Sequence, residues 1–243
     1  METLPPGSFD LILTDLPYGV TRNPWDSVLP LDRLWDLWHK VTKKDATFLL
    51  FGQGLFSATV MNSNRQEWRY NLIWDKQLPG GFLNAGRQPM RIHEDIMVFQ
   101  RGKPVYNPQM GIGQPLHSRF RKGVDSRPAE KTSGNYSKYA YESNDRAGAT
   151  EKYPVSIVSF AKPHPSQAVH PTEKPVNLLR WLIRTYTDEG MAVLDCCMGS
   201  GSTGVAAILE KRSFAGIEKE AAYFETASRR VREAEAEAAS RLF

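Results

Sequence analysis

Long hydrophobic runs are missing from this chain: none approaches the ~20 apolar residues that a membrane-spanning helix requires. Cysteine is scarce, and the two present, Cys196 and Cys197, are adjacent. That argues against a disulfide framework and for a reducing compartment, such as a cytoplasm. Histidine is sparse and scattered, at His39, His93, His117, His164 and His170. None pairs with cysteine at metal-ligand spacing, so no metal is expected. The opening Met-Glu-Thr-Leu-Pro-Pro-Gly lacks the basic-then-apolar layout of a signal peptide. No internal repeat is visible. What is present is ordinary for a globular protein: 243 residues, 41% hydrophobic and 24% charged, enough for one large domain or two small ones. The net charge is +4, and a pI near 9.0 permits a polyanionic partner.

The most informative stretch is Asp15-Leu16-Pro17-Tyr18. It follows Phe9-Asp10-Leu11-Ile12-Leu13-Thr14, a short and nearly apolar run that reads as a strand buried on both faces of a parallel sheet. In open α/β sheets ligands bind outside the carboxyl ends of strands, so a site is expected here. The Asp15 carboxylate and the Leu16 carbonyl are two neighbouring acceptors. Pro17 stiffens the turn, and Tyr18 offers a flat face. Together they suit an exocyclic amine, whose lone pair is otherwise delocalised into its ring. The plain alternative is a strand ending in an Asx-type turn.

Further strands are expected at residues 47–51, 70–74, 95–99, 192–195 and 214–218. Helices are expected over residues 31–41, 55–62, from about 175, over 203–209 and at the C-terminal end. This alternation predicts an α/β fold with a mostly parallel sheet. Leu31, Leu34, Trp35, Trp38 and Val41 recur at helical spacing and predict a core-facing stripe. Residues 75–92 are rich in Gly, Pro and Arg and read as a surface loop at a site edge.

Residues 101–165 differ in composition. They hold 11 basic and 5 acidic residues, a surplus of +6 that exceeds the net charge of the whole chain. Aromatic residues are interleaved with the cations, which include Arg119, Arg121, Lys122, Arg127, Lys131 and Lys138. Cations for phosphates and rings for bases predict a nucleic-acid-binding insert. A solvated loop has similar composition.

Near the C-terminal end, Gly199, Gly201 and Gly204 spell G-x-G-x-x-G between an expected strand and an expected helix, with Glu218 at the end of the next strand. Such glycines let the backbone approach a ligand, and the acid is placed to hold ribose hydroxyls. The loop fits a dinucleotide or a methyl donor equally well. Asp195 at the strand end, where a carboxylate can meet a donor's amino group or ribose, favours S-adenosylmethionine. So does the lack of an evident catalytic domain after residue 204.

With both stretches in view, the chain resembles the amino-group DNA methyltransferases of the permuted "beta" order, most of all their phage and prophage adenine-specific members. Thr14 to Gly19 is similar to the catalytic Asp-Pro-Pro-Tyr motif, with Leu16 in place of the first proline. His170-Pro171-Thr172-Glu173-Lys174-Pro175 is similar to the block that closes the cofactor site. Asp195 to Thr203 is similar to the cofactor loop, with Cys196 and Cys197 where relatives carry proline and phenylalanine. The resemblance implies a Rossmann-like S-adenosylmethionine-dependent methyltransferase fold with circularly permuted motif order and helices on both faces of the sheet. Residues 1–100 would form its catalytic part, 101–165 a target-recognition insert and 166–243 the cofactor part. It further implies that Asp15, Leu16, Pro17 and Tyr18 serve the target amine. Asp195, Cys197, Met198, Gly199, Ser200, Gly201, Ser202, Thr203, Glu218, Thr172, Lys174 and Pro175 would surround S-adenosylmethionine. The expected partner is double-stranded DNA and the expected setting the cytoplasm of a bacterium or a phage-infected cell. Adenine N6 is the expected target and cytosine N4 the alternative; a non-catalytic DNA-binding relative is a third reading. Homodimer formation and a nuclease partner stay open. Relatives carry a Gly-Asp strand upstream of the catalytic motif; this sequence begins just after its place, which leaves open a missing edge strand or a truncated or miscalled start.

Overall fold

The computed structural model describes residues 1–19, 28–115, 149–162 and 173–240. The chain divides into two compact units, one formed by Met1–Asn107 with Val155–Phe243 and the other by Pro108–Pro154. Within the second unit, β5 (Gly111–Ile112) and β6 (Glu151–Lys152) pair antiparallel.

The first unit is built on a seven-stranded sheet. Its strands are β1 (Phe9–Thr14), β2 (Thr42–Gly52), β3 (Trp68–Gly80), β4 (Arg91–Gln100), β7 (Ile157–Ser159), β8 (Ala192–Asp195) and β9 (Ser213–Gly216), in the spatial order β7-β3-β4-β2-β1-β8-β9. β1 lies parallel to β2 and β8, β8 to β9, and β3 to β7. β4 is antiparallel to both of its neighbours. Among the described strands of this sheet, six therefore point one way and β4 points against them. This has a consequence for the site, because the N-terminal end of β4 lies at the rim where the other six strands end.

Both faces of the sheet are covered, as the apolar run of β1 requires. Leu11 and Leu13 of β1 enter one core with Leu178, Leu179, Leu182, Ile183 and Tyr186 of α3 (Val176–Tyr186) and Ala206 and Ala207 of α4 (Ser202–Leu209). Ile12 faces the opposite core with Leu34, Trp35, Trp38 and Val41 of α1 (Leu31–Val41) and Phe56 and Val60 of α2 (Gly54–Ser63). Side chains one residue apart on a strand point to opposite faces, so one apolar hexapeptide feeds two cores. The expected stripe of α1 is the buried face of that helix: Trp35 and Trp38 meet edge to face at 4.9 Å, and Trp38 is fully buried. A side chain of that kind contributes about 2 kcal/mol or more of hydrophobic stabilisation. α5 (Ala221–Ser240) buries Ala227 and Ala234.

Two elements differ from the sequence expectation. Within residues 75–92 the expected surface loop is narrower, spanning 81–90 with a 3-10 turn at Phe82–Asn84, because β3 continues to Gly80 and β4 starts at Arg91 and the two are paired as far as those residues. A shift of register between Asp75 and Gly80 accommodates Gln77 at φ 59°. β2 starts five residues early, because polar Thr42 pairs with Phe9 before the apolar run begins. Among the described residues no helix is long and apolar enough to cross a membrane.

Candidate functional site

The carboxyl ends of β1, β8 and β9 and the N-terminal end of β4 meet around one cavity of about 450 Å³. β1 and β8 are neighbours in the sheet, so their ends are adjacent although Asp15 and Asp195 are far apart in sequence. Asp15, Leu16, Pro17 and Tyr18 line one part of the cavity. Asp195, Cys197, Met198, Gly199, Ser200, Ser202, Thr203 and Glu218 line another, and Lys174 also faces it. Gly201 and Pro175 do not line it: Pro175 caps the N-terminus of α3. His170, Pro171 and Thr172 lie outside the described residues, as do Arg119, Arg121, Lys122, Arg127, Lys131 and Lys138.

The glycine loop takes its shape from two close approaches. Gly201 has φ +81°, and a Cβ there would stand 2.8 Å from Ala227 Cα of α5. A Cβ on Gly204 would stand 2.6 Å from Phe214 of β9 and from Val231 of α5. The first glycine permits the turn and the second permits α4 to pack on β9 and α5. The loop is also braced from outside. Glu173 accepts hydrogen bonds from Ser202 Oγ at 2.9 Å and from the Arg230 guanidinium at 2.7 Å, and Arg230 also donates to the Ser200 carbonyl at 2.9 Å. Glu173 belongs to the block that the resemblance places at the cofactor site, but its partner Arg230 is not identified by the sequence, because the contact joins segments 57 residues apart.

The two acids on the glycine-loop side of the cavity differ in exposure. Glu218 accepts from Gly199 N and Glu220 N, each at 2.9 Å, which fixes its carboxylate at the cavity wall. Asp195 is buried and points inward, accepting from Thr14 Oγ1 at 2.8 Å and from Cys197 N at 3.0 Å. Burial pushes its carboxyl up to about 6, against the opposing bonds from Thr203, Thr14 and Cys197. The Cys197 thiol, free but hydrogen-bonded to the Cys196 thiol and largely desolvated, is held well above the ordinary thiol range. A thiol kept protonated is a poor nucleophile.

The half of the site around Asp15 carries charges that the sequence reading places elsewhere. Tyr18 donates its hydroxyl to Asp15 Oδ1 at 2.6 Å, and its ring packs against Phe56 with centroids 4.7 Å apart. Burial, then Asp15 and Glu94, push the Tyr18 hydroxyl well above the usual phenol range, so it remains a donor. Lys174 donates to Asp15 Oδ2 and lies 3.5 Å from Glu94 Oε2. Its resemblance-based assignment is to the cofactor, but its ammonium sits between two carboxylates, one of them the acid of the catalytic motif. Burial disfavours that ammonium, yet Asp15 and Glu94 outweigh burial and raise its pKa. Glu94 is the converse: burial is outweighed by Lys174 and Lys76, and its carboxyl is held below the usual range. Lys76 pairs with Glu94 Oε1 at 3.2 Å, while Glu94 Oε2 is buried with no hydrogen bond. Glu94 escapes a sequence reading because it lies near the start of an antiparallel strand, and only that orientation delivers it to the rim.

The profile of the DNA methylase family, N6_N4_Mtase, matches residues 9–229, most of the chain. The chain belongs to this family. Two curated relatives match shorter stretches of this DNA methylase. Type II methyltransferase M.BglI of Bacillus subtilis is 47% identical over 62 residues, 26% of this chain and 18% of that protein. Type II methyltransferase M2.MboI of Moraxella bovis is 41% identical over 68 residues, 28% of this chain and 25% of that protein. The matches thus span a quarter or less of the length of these relatives. Among solved structures, the M1.HpyAVI–SAM complex superposes with a TM-score of 0.60 over 92% of this chain and 90% of that one, at 22% identity. PvuII DNA methyltransferase, described as cytosine-N4-specific, does so at 0.64 over 98% and 88%, at 14% identity. These structures share the methyltransferase fold: an α/β sheet, mostly parallel, with helices on both faces.

Proposed function

We propose that this chain is a site-specific DNA methyltransferase that moves a methyl group from S-adenosylmethionine to the N6 amine of an adenine flipped out of double-stranded DNA. The observation that supports it most is the single cavity walled both by the Asp15 end of β1 and by the glycine loop after β8. The residues suit the donor: the Gly199 backbone and the Glu218 carboxylate offer a wall for a ribose diol, and the acids of the cavity offset a positive centre. When bound, S-adenosylmethionine supplies a methyl carbon on a sulfonium, open to attack by an amine lone pair.

The protein's own part is positioning and charge placement. Asp15 and the Leu16 carbonyl accept the two hydrogens of the amine and draw its lone pair out of conjugation. Tyr18 holds the Asp15 carboxylate in register, and its ring walls the base pocket. Lys174 yields Asp15 Oδ2 to the amine and stays neutralised by Glu94. Asp15 then takes the proton that the methylated amine must release. Reaching N6 requires the base to leave the stack. The basic insert of residues 101–165 is assigned to DNA, its cations to phosphates.

Cytosine N4 is the second reading, since the same pair of acceptors suits either amine; an acid at position 15 favours adenine through the resemblance. Plasmid DNA incubated with the protein and labelled S-adenosylmethionine, then sequenced by a method that separates the two products, decides. N6-methyladenine at a defined site supports the proposal, and N4-methylcytosine selects the second reading. DNA that stays unlabelled overturns both.

A further inference from the structure

The β3–β4 hairpin extends well past the cavity. Trp74 pairs with Glu94 at the cavity wall, and Gly80 pairs with Arg91 beyond it. At about 3.3 Å per residue, three further residues of β4 carry the ribbon about 10 Å out before it turns. Every residue from Gly81 to His93 is exposed. A two-stranded ribbon with no packing partner is marginal in water. This one is nonetheless apolar at its end: Phe82 is 75% and Leu83 85% exposed, and Leu78, Met90 and Ile92 are exposed as well. Among the described residues, five of the 16 exposed large hydrophobics thus fall between Leu78 and Ile92, in the outer part of one hairpin, a concentration that marks an interaction surface. Its charge is of one sign. Residues 76–93 hold Lys76, Arg87 and Arg91 and no acidic residue. The ribbon is tied down at two points: Lys76 bridges to Glu94 at its base, and Arg91, at the outer end of the pairing, donates to Gln53.

We infer that this hairpin is a wedge for duplex DNA. Phe82 and Leu83 enter the base stack next to the target nucleotide, and Arg87 and Arg91 meet the flanking phosphates, while Lys76 stays paired with Glu94 at the base. The inference rests on the DNA-methylating function proposed above. Apolar side chains inserted between base steps offset the unstacking that a flipped base leaves behind. The position fits, because the ribbon starts at the wall of the cavity that would receive the flipped base. A second copy of the chain fits less well, since an isologous contact would set two acid-free, cationic ribbons against each other. Both tip side chains are exposed, so their removal takes nothing from the core.

The test compares the wild-type chain with the double variant Phe82→Ser/Leu83→Ser on synthetic duplexes carrying the site that plasmid sequencing reveals. One duplex is fully matched, and the other mispairs the target base so that extrusion is easy. The variant is expected to lose about 30-fold in methylation rate on the matched duplex, or about 2 kcal/mol at 1.4 kcal/mol per tenfold. On the mispaired duplex it should stay within about threefold of wild type, because little unstacking remains to be offset. Its circular dichroism melt should match that of the wild type. Equal rates for the two chains on the matched duplex overturn the wedge. So does an equal loss on both duplexes, and a dimer-to-monomer change in light scattering would then point to a second copy. Failure of the wild-type chain to label any DNA would instead reject the underlying function.

Discussion

Replacing Lys174 with methionine keeps most of the stem but removes one cation from between two carboxylates, an ammonium that also lies 4.9 Å from the centroid of the Phe51 ring. The Lys174 side chain is 10% exposed, and its partners Asp15 and Glu94 are 23% and 16% exposed. Breaking a buried ion pair by deleting one member costs about 3–5 kcal/mol, because the other member is left buried and unpaired. Lys76 still holds one oxygen of Glu94 and Asp15 is partly wet, so the lower end, about 3 kcal/mol, is expected at neutral pH. The pH dependence has a definite sign. Lys174 and Lys76 hold the Glu94 carboxyl below its usual range in the folded chain. That stabilisation is present above the unfolded pKa and is lost as pH falls through the folded value. In the Lys174→Met chain the depression shrinks, so the gap from wild type is full at pH 7 and closes below about pH 4. Guanidinium unfolding followed by far-ultraviolet circular dichroism at both pH values measures it. Adding Glu94→Gln should recover more than half of the loss at pH 7, as coupled neighbours do. A single variant as stable as wild type at pH 7, or a gap that ignores pH, would refute the reasoning.

Two further predictions concern the cofactor half of the site. Gly201→Ala combines a left-handed backbone with a 2.8 Å approach to the α5 backbone; it should cost about 2 kcal/mol and weaken S-adenosylmethionine binding in calorimetry. An unchanged melt and unchanged affinity would remove the packing argument for this glycine. Asp195→Asn acts through pH. The folded carboxyl titrates at about 6, above the ordinary value, so native stability is full at low pH and falls as pH rises through 6. The asparagine variant should therefore gain on wild type between pH 4 and pH 7.5 in thermal melts; a constant difference between the two chains would contradict the burial argument.

The parts legible in the sequence are those whose signals are local. β1 and β8 are apolar runs ended by an acid, and their observed bounds are those the runs predict. The α1 stripe and the G-x-G-x-x-G turn are likewise written in consecutive residues. The β3–β4 ribbon is not legible, because its outer half buries nothing and so carries no hydrophobic alternation. Its pairing is held by backbone bonds across a shifted register, which composition does not report. The ion-pair cluster is hidden for a different reason. Lys174 and Asp15 are 159 residues apart, and Glu94 reaches them only because β4 runs against its neighbours. A sequence shows which residues carry charge, but strand direction decides which charges share a cavity.

In the proposed function, Asp15 and the glycine loop serve one donor-and-acceptor site. The most direct test measures two quantities on the same samples of wild-type and Asp15→Ala protein: binding of S-adenosylmethionine by calorimetry, and transfer of labelled methyl to plasmid DNA. Donor binding within a few-fold of wild type, with transfer reduced at least about 1,000-fold, is the predicted result, since the role proposed for Asp15 is exerted on the amine in the transition state. Transfer at the wild-type rate by the Asp15→Ala chain would contradict the account.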